Sequence, residues 1–194
     1  KWRLVLAAPI VAGLVLTYSR TGLLALAFVL LWLTVGRRLG IYGGAASVAA
    51  LVWLVANIPD DVKGFGPFSN RSGSDALRER IGEREHELIA QAPWYGHGPG
   101  TALVEVGQGQ TFFFHNSYLA TRQEGGWLAL ILILGLIAYA FAKTSPASQA
   151  GDMRAAAAQA ALIAVVVMAT TLGEVLLELP TALAIGFALG HARH

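Results

Sequence analysis

The sequence predicts an all-α fold: a polytopic transmembrane helical bundle with one long extracytoplasmic loop that carries a short amphipathic helix. Three observations predict it. Of the 194 residues 55% are hydrophobic and 13% are charged, with a mean hydropathy of +0.56; soluble domains carry about 25% charged residues. Several apolar stretches approach or exceed the ~20 residues that cross a bilayer. Between two groups of these lies a hydrophilic stretch, 59–115, that holds most of the chemically versatile side chains.

The elements follow in order. Segments are expected at about 4–18 and 21–35, with Ser19-Arg20 as the corner between them. Arg37 and Arg38 end the second, and a third runs 39–58. The first two are short at ~1.5 Å per residue, and flanking arginines that snorkel extend their reach. The loop opens on Pro59-Asp60-Asp61. Ser74 is a candidate cap with Asp75 in the first turn, and Leu77, Ile81 and Leu88 line one side of a helix that ends near Ala92, before Pro93. This helix is expected to lie on the bilayer or against the bundle. Residues 96–110 carry Gly96, Gly98, Gly100, Gly107 and Gly109 and read as loop. A fourth span is expected at 117–142, a polar break at 143–154, and further spans at 155–172 and 175–190, with Pro180 as a possible kink. Ala155–Ala158 and Ala160-Ala161 offer small-residue faces for close helix contact. All this reads as a single membrane domain, 1–194, and as a piece of a longer one.

Charge placement sets the orientation. If the segments alternate, Lys1, Arg3, Arg37, Arg38, Lys143, Arg154 and Arg193 share one side, in short loops, which makes that side cytoplasmic. Ser19-Arg20, the 59–115 loop and Gly173-Glu174 then fall outside. A net charge of +2 is too small to argue for nucleic acid, and the absence of cysteine excludes disulfide and thiolate chemistry.

His115 is the leading chemical candidate, because a neutral imidazole at a membrane face can take a proton from a hydroxyl; a structural hydrogen bond at a helix start is its plain alternative. Asn116 or Ser117 would cap that helix. Arg20 reads either as a snorkelling anchor or as an anion-binding group near lipid headgroups. Arg78 and Arg80 share that ambiguity, since Glu79, Glu83, Glu85 and Glu87 offer them surface ion pairs of ~0–1 kcal/mol. His86, His97 and His115 match no compact zinc spacing. Glu124, Glu174 and Glu178 sit near the outer ends of apolar segments, where carboxylates are functional suspects; a salt bridge to Arg20 or Arg122 is the alternative.

Three motifs occur in a telling order: Thr17-Tyr18-Ser19-Arg20-Thr21-Gly22; Arg78 followed by Pro93-Trp94-Tyr95-Gly96-His97-Gly98-Pro99-Gly100; and His115-Asn116-Ser117-Tyr118-Leu119 with Glu124-Gly125-Gly126. Together they resemble the O-antigen ligase and O-antigen polymerase superfamily of bacterial membrane proteins, over what corresponds to the C-terminal portion of a member. Gly126 stands where many members have a leucine and then a glycine.

The resemblance implies a metal-independent glycosyltransferase without cofactor, in the bacterial inner membrane, its active loop on the periplasmic side. The donor would be an undecaprenyl-diphosphate-linked glycan. The acceptor would be a sugar hydroxyl on lipid A–core, another carrier-linked glycan, or a protein side chain. Carried over residue by residue, Arg20 and Arg78 would hold the diphosphate and His115 would act near the acceptor hydroxyl. Arg80, Asn116, Tyr118, Glu124, Gly98 and Gly100 would contribute to substrate binding. A transporter or flippase component for lipid-linked glycans, or a non-catalytic membrane subunit, remains as the alternative.

Overall fold

The computed structural model describes residues 12–13, 19–57, 72–107 and 109–191. The expected first span, 4–18, apart from residues 12–13, and the opening of the loop at 59–71 lie outside the described residues. What is described is a helical domain with one small hairpin. Helix α1, Arg20–Thr34, runs through a short 3-10 turn, Gly36–Leu39, into α2, Gly40–Asn57. Helix α3 is Ser72–Gln91. Strands β1, Leu103–Val106, and β2, Gln110–Phe113, pair antiparallel with Leu103 opposite Phe113. The long helix α4, Ser117–Gln149, is followed by α5, Met153–Met168, a 3-10 turn, Val175–Leu177, and α6, Leu179–His191.

Helix α5 is central, packing on α1, α4 and α6. Its small residues explain this: Ala155, Ala156 and Ala158 are fully buried, and an alanine face lets neighbouring backbones approach closely. On one side Leu162 and Val165 meet Leu130, Ile137, Leu176 and Ala188. On the other, Ala160, Ile163 and Val167 meet Ala25, Phe28 and Trp32 of α1, with Trp32 tilted against Phe141 at 4.9 Å between ring centroids. Gln159, wholly buried among these helices, donates to the Phe141 carbonyl at 3.1 Å and to Ser145 Oγ at 3.0 Å. Both N–H donors of this buried amide are matched, while its Oε1 has no hydrogen-bond partner.

Among the described residues α4 is the helix long and apolar enough to cross a membrane, and only 22% of its most apolar window is buried. Leu128, Ile131, Leu132 and Leu136 stay exposed along it. The core helix of a soluble protein would hide that face. Helical stretches 21–34, 153–168 and 179–190 are apolar but shorter.

Three expectations need correction. The region 96–110 is not all loop, because β1 occupies 103–106 and β2 begins at 110; Val104 and Phe114 are buried against Ile81 and Ile89 of α3, and that burial stabilises a hairpin that glycine content alone argues against. Helix α4 does not end with the expected span at 142: it continues through Pro146 to Gln149, and Thr144 and Ser145 are satisfied by carbonyls one turn back. The last segment starts not as a helix at 175 but with the 3-10 turn, α6 proper beginning at Leu179.

Candidate functional site

His115 sits in the three-residue corner between the hairpin and α4, and the corner is fastened from three directions. From behind, Phe114 is buried and its N–H donates to the Ala102 carbonyl at 3.0 Å. From α3, the carboxylate of Glu85 accepts the backbone N–H of His115. From the bundle, the N–H of Ser117 donates to the Ala169 carbonyl at 2.9 Å, and Ser117 Oγ accepts the N–H of Leu176 at 2.9 Å. Gly173 lies flat on the corner: a Cβ there would stand 1.6 Å from the Phe114 carbonyl oxygen. Asn116 caps α4, its Oδ1 accepting from Tyr118 N at 3.0 Å and Leu119 N at 3.3 Å.

The imidazole is half-buried, with Nδ1 3.2 Å from the Phe113 carbonyl oxygen. A carbonyl only accepts, so this contact is a hydrogen bond in the tautomer that carries its proton on Nδ1. In the neutral ring the lone pair then resides on Nε2. That nitrogen is the one available to receive a proton.

A second construction lies beside the corner. Helix α4 breaks its regular path at Gly126, whose φ of 66° and ψ of −167° only glycine adopts readily. The break frees carbonyls, and the turn after α3 takes them: His97 N donates to Gln123 O at 2.7 Å, Gly98 N to Glu124 O at 2.9 Å, and Trp127 N returns to Trp94 O at 2.9 Å. The two backbones touch at glycines. A Cβ on Gly96 would lie 2.5 Å from Gly126 N, and one on Gly126 would lie 2.2 Å from Trp94 O. Glu124 then accepts the N–H of Gly100 through Oε1 at 2.9 Å. Outside this junction Arg122 stacks over Trp127, 4.6 Å from its ring centroid.

Next to the corner opens a pocket of about 190 Å³, lined by Glu124, Glu174, Glu178, Phe113, Phe114 and Leu177 among others. It is smaller than the ~300–1,000 Å³ of sites for whole drug-sized ligands, so it suits one part of a larger substrate. The carboxyl of Glu174 is pushed above the usual carboxylate range, first by burial, then by a hydrogen bond with Glu178 and by repulsion from Glu178 and Glu124. Among the described residues no group of three or more His, Asp or Glu side chains is arranged to hold a metal ion.

Arg20 opens α1 behind Ser19, whose Oγ accepts the N–H of Gly22 at 3.1 Å. Thr21 Oγ1 meets Thr171 Oγ1 at 2.5 Å, and Thr171 is two residues from Gly173. The start of α1, the α5–α6 turn and the His115 corner therefore share one end of the bundle. The described stretches 19–22, 93–100 and 115–126 of the three motifs meet at that end, and residues 4–134, more than half of the chain, match the family described as O-antigen ligase. The chain belongs to the O-antigen ligase family. No curated protein matches it, and no solved structure does. Membership ties the chain to a family associated with enzymes and with glycan and lipid-carrier substrates.

Within this family member the candidate residues separate. His115, Asn116, Glu124, Gly98 and Gly100 lie in or beside the corner and the docked turn. The oxygen of Asn116 is engaged in the cap. Tyr118 points its hydroxyl into the bundle, donating to the Val166 carbonyl at 2.6 Å. Arg78 and Arg80 are both exposed on α3. Arg78 is seven residues before Glu85, two turns and ~10 Å along nearly the same face; Arg80 is turned about 140° from Glu85 at ~100° per residue. Of the two, Arg78 is aligned with the side that carries the His115 corner.

Glu85 is the residue that sequence reasoning placed wrongly. Surface ion pairs do not describe it: the side chain is 2% exposed, and among the described residues Arg84 pairs with Glu87 at 2.5 Å. The available signal was periodicity: Ile81, Glu85 and Ile89 recur every four residues, so the carboxylate falls on the buried stripe.

Proposed function

We propose that the protein transfers a glycan from an undecaprenyl-diphosphate carrier to a sugar hydroxyl, at the extracytoplasmic face of the bacterial cytoplasmic membrane. The observation that carries this reading is His115. Its Nε2 lone pair is left open by the Nδ1 bond to Phe113, in a corner bordered by a carboxylate-lined pocket, in a chain of the O-antigen ligase family. In the proposed step the acceptor oxygen bonds to the anomeric carbon and the carbon–oxygen bond to the diphosphate breaks. The hydroxyl proton passes to Nε2, and the lipid diphosphate leaves with the electron pair. Arg20 and Arg78 neutralise the charge that grows on the diphosphate, a task suited to a planar guanidinium that grips two oxygens at once. The carboxylates of Glu124, Glu174 and Glu178 accept hydrogen bonds from acceptor hydroxyls.

A multi-pass arrangement fits the same reading. Beyond the Gly126 break, α4 retains about 23 residues, or ~35 Å of helix, enough for a hydrocarbon core of ~30 Å. The part before the break stays with the loop above. The shorter helices α1, α5 and α6 pack alongside it.

The test is transfer in a reconstituted membrane. The protein is incubated with undecaprenyl-diphosphate glycan and a panel of acceptors, lipid A–core and carrier-linked glycans included, and covalent glycan–acceptor product is sought. His115→Ala is expected to lower turnover ~10²–10⁴-fold, the usual worth of general-base help, while carrier binding persists. Absence of product from the wild type across the panel would sink the reading.

A further inference from the structure

Glu85 joins two regions that the proposed reaction keeps apart. It lies on α3, the helix that carries Arg78, and it reaches the corner that carries His115. The side chain is 2% exposed and stands within an apolar cluster of Ile81, Ile89, Ala102, Val104, Phe114 and Ala120. A carboxylate in such surroundings is costly unless it is matched by donors. Here the matching donors are backbone: the N–H of His115, with a further contribution from the N–H of Asn116. The titratable groups that act on it are His115 and His86. Burial pushes its carboxyl upward from the ordinary glutamate value, and these backbone bonds and nearby histidines oppose that.

An apolar residue at this position would leave the His115 N–H without its acceptor, which is costly in a buried corner. A carboxylate does something leucine cannot: it grips the main chain at one particular residue. Fixing the His115 N–H fixes the Phe113–His115 backbone, and with it the Nδ1 contact that sets the ring's tautomer. We propose that Glu85 is a positioning residue, anchoring the backbone of the His115 corner to α3 and so holding the imidazole in one place beside the pocket. Its kinetic consequence rests on the transfer reading above; its geometric consequence does not.

The experiment compares Glu85→Leu and Glu85→Gln with the wild type in the protein reconstituted in nanodiscs. It reads the kcat and carrier KM of transfer, the ¹⁵N signature of the His115 tautomer, and thermal unfolding. Leucine removes the anchor, and a displacement on the order of 1 Å is worth ~10²-fold in rate. So Glu85→Leu is expected to lose about that much kcat with carrier KM within about twofold, and to show averaged His115 ring nitrogens. Glutamine keeps an oxygen acceptor for the His115 N–H, and it is expected to restore a single tautomer and most of kcat. A leucine variant with wild-type kcat and a single tautomer overturns the proposal, as does a folded glutamine variant as impaired as leucine. If leucine unfolds the protein, the folded glutamine variant decides alone: a single His115 tautomer with most of kcat supports the proposal, and averaged ring nitrogens with a ~10²-fold loss of kcat overturn it. If the wild type transfers no glycan, the transfer reading fails, while the tautomer measurement still decides the role of Glu85.

Discussion

Replacing Gly126 by alanine attacks the junction on which the site's second wall depends. Two effects add. The backbone at Gly126, φ 66° and ψ −167°, lies in a region that is essentially reserved for glycine, and forcing a side chain into such conformations costs ~1–3 kcal/mol. The new Cβ would also stand 2.2 Å from Trp94 O and 2.4 Å from Tyr95 C. Both are main-chain atoms that cannot rotate away, so the turn must lift. Lifting it breaks the bonds His97 N–Gln123 O, Gly98 N–Glu124 O and Trp127 N–Trp94 O, each worth ~0.5–1.5 kcal/mol. Losing two of the three brings the expected destabilisation to about 2–6 kcal/mol. Whole domains are stable by only ~5–15 kcal/mol, and the midpoint of thermal unfolding should fall by roughly 10 °C. The control is Gly135→Ala in the same helix, where an added Cβ meets nothing within 4 Å; it should hold or raise the midpoint, since alanine is favoured over glycine inside helices by ~0.5–1 kcal/mol. Unfolding is followed in detergent or nanodiscs by intrinsic fluorescence. A Gly126→Ala protein with an unchanged midpoint, and with amide exchange at His97 and Gly98 as slow as in the wild type, would refute the argument that backbone contact binds the turn to the helix.

Gly173→Ala should act on the other side of the corner: its Cβ would collide with the Phe114 carbonyl at 1.6 Å, and the displaced His115 should lower transfer ~10²-fold, measured as product per protein that elutes as folded material. Stability should also respond to pH through Glu85. Its folded pKa is raised from 4.5, chiefly by burial, so the folded state holds a proton that the unfolded chain releases. The stability this contributes is full below the ordinary glutamate pKa and is lost as pH rises through the raised value. Thermal midpoints scanned upward from about pH 4.5 should therefore decline less in Glu85→Gln than in the wild type; an equal or steeper decline in the variant contradicts the assignment.

The comparison of sequence with structure turns on range. Helices α1, α2, α4, α5 and α6 were legible because hydropathy and helical period are local properties, repeated over many residues. Asn116 as a helix cap was legible for the same reason, a short polar side chain directly before an apolar run. The hairpin was less so. Val104, Val106 and Thr111–Phe114 carry the residue types of strands, but Gly107 and Gly109 between them read as loop until Ile81 and Ile89 supplied a surface to cover.

By itself the sequence determined the membrane-like composition, the placement of apolar helices, the motifs that mark the family, and His115 as the residue to suspect. Only the tertiary structure decided what surrounds it. Glu85 became an anchor rather than a surface charge because α3 turned that face toward the hairpin, and Arg78 was separated from Arg80 by the same rotation. The turn 94–98 was joined to α4 because main-chain donors met carbonyls freed at Gly126. Such pairings are made between backbones, whose chemistry is the same at every residue, and the sequence marks them only by the glycines that leave room for the approach.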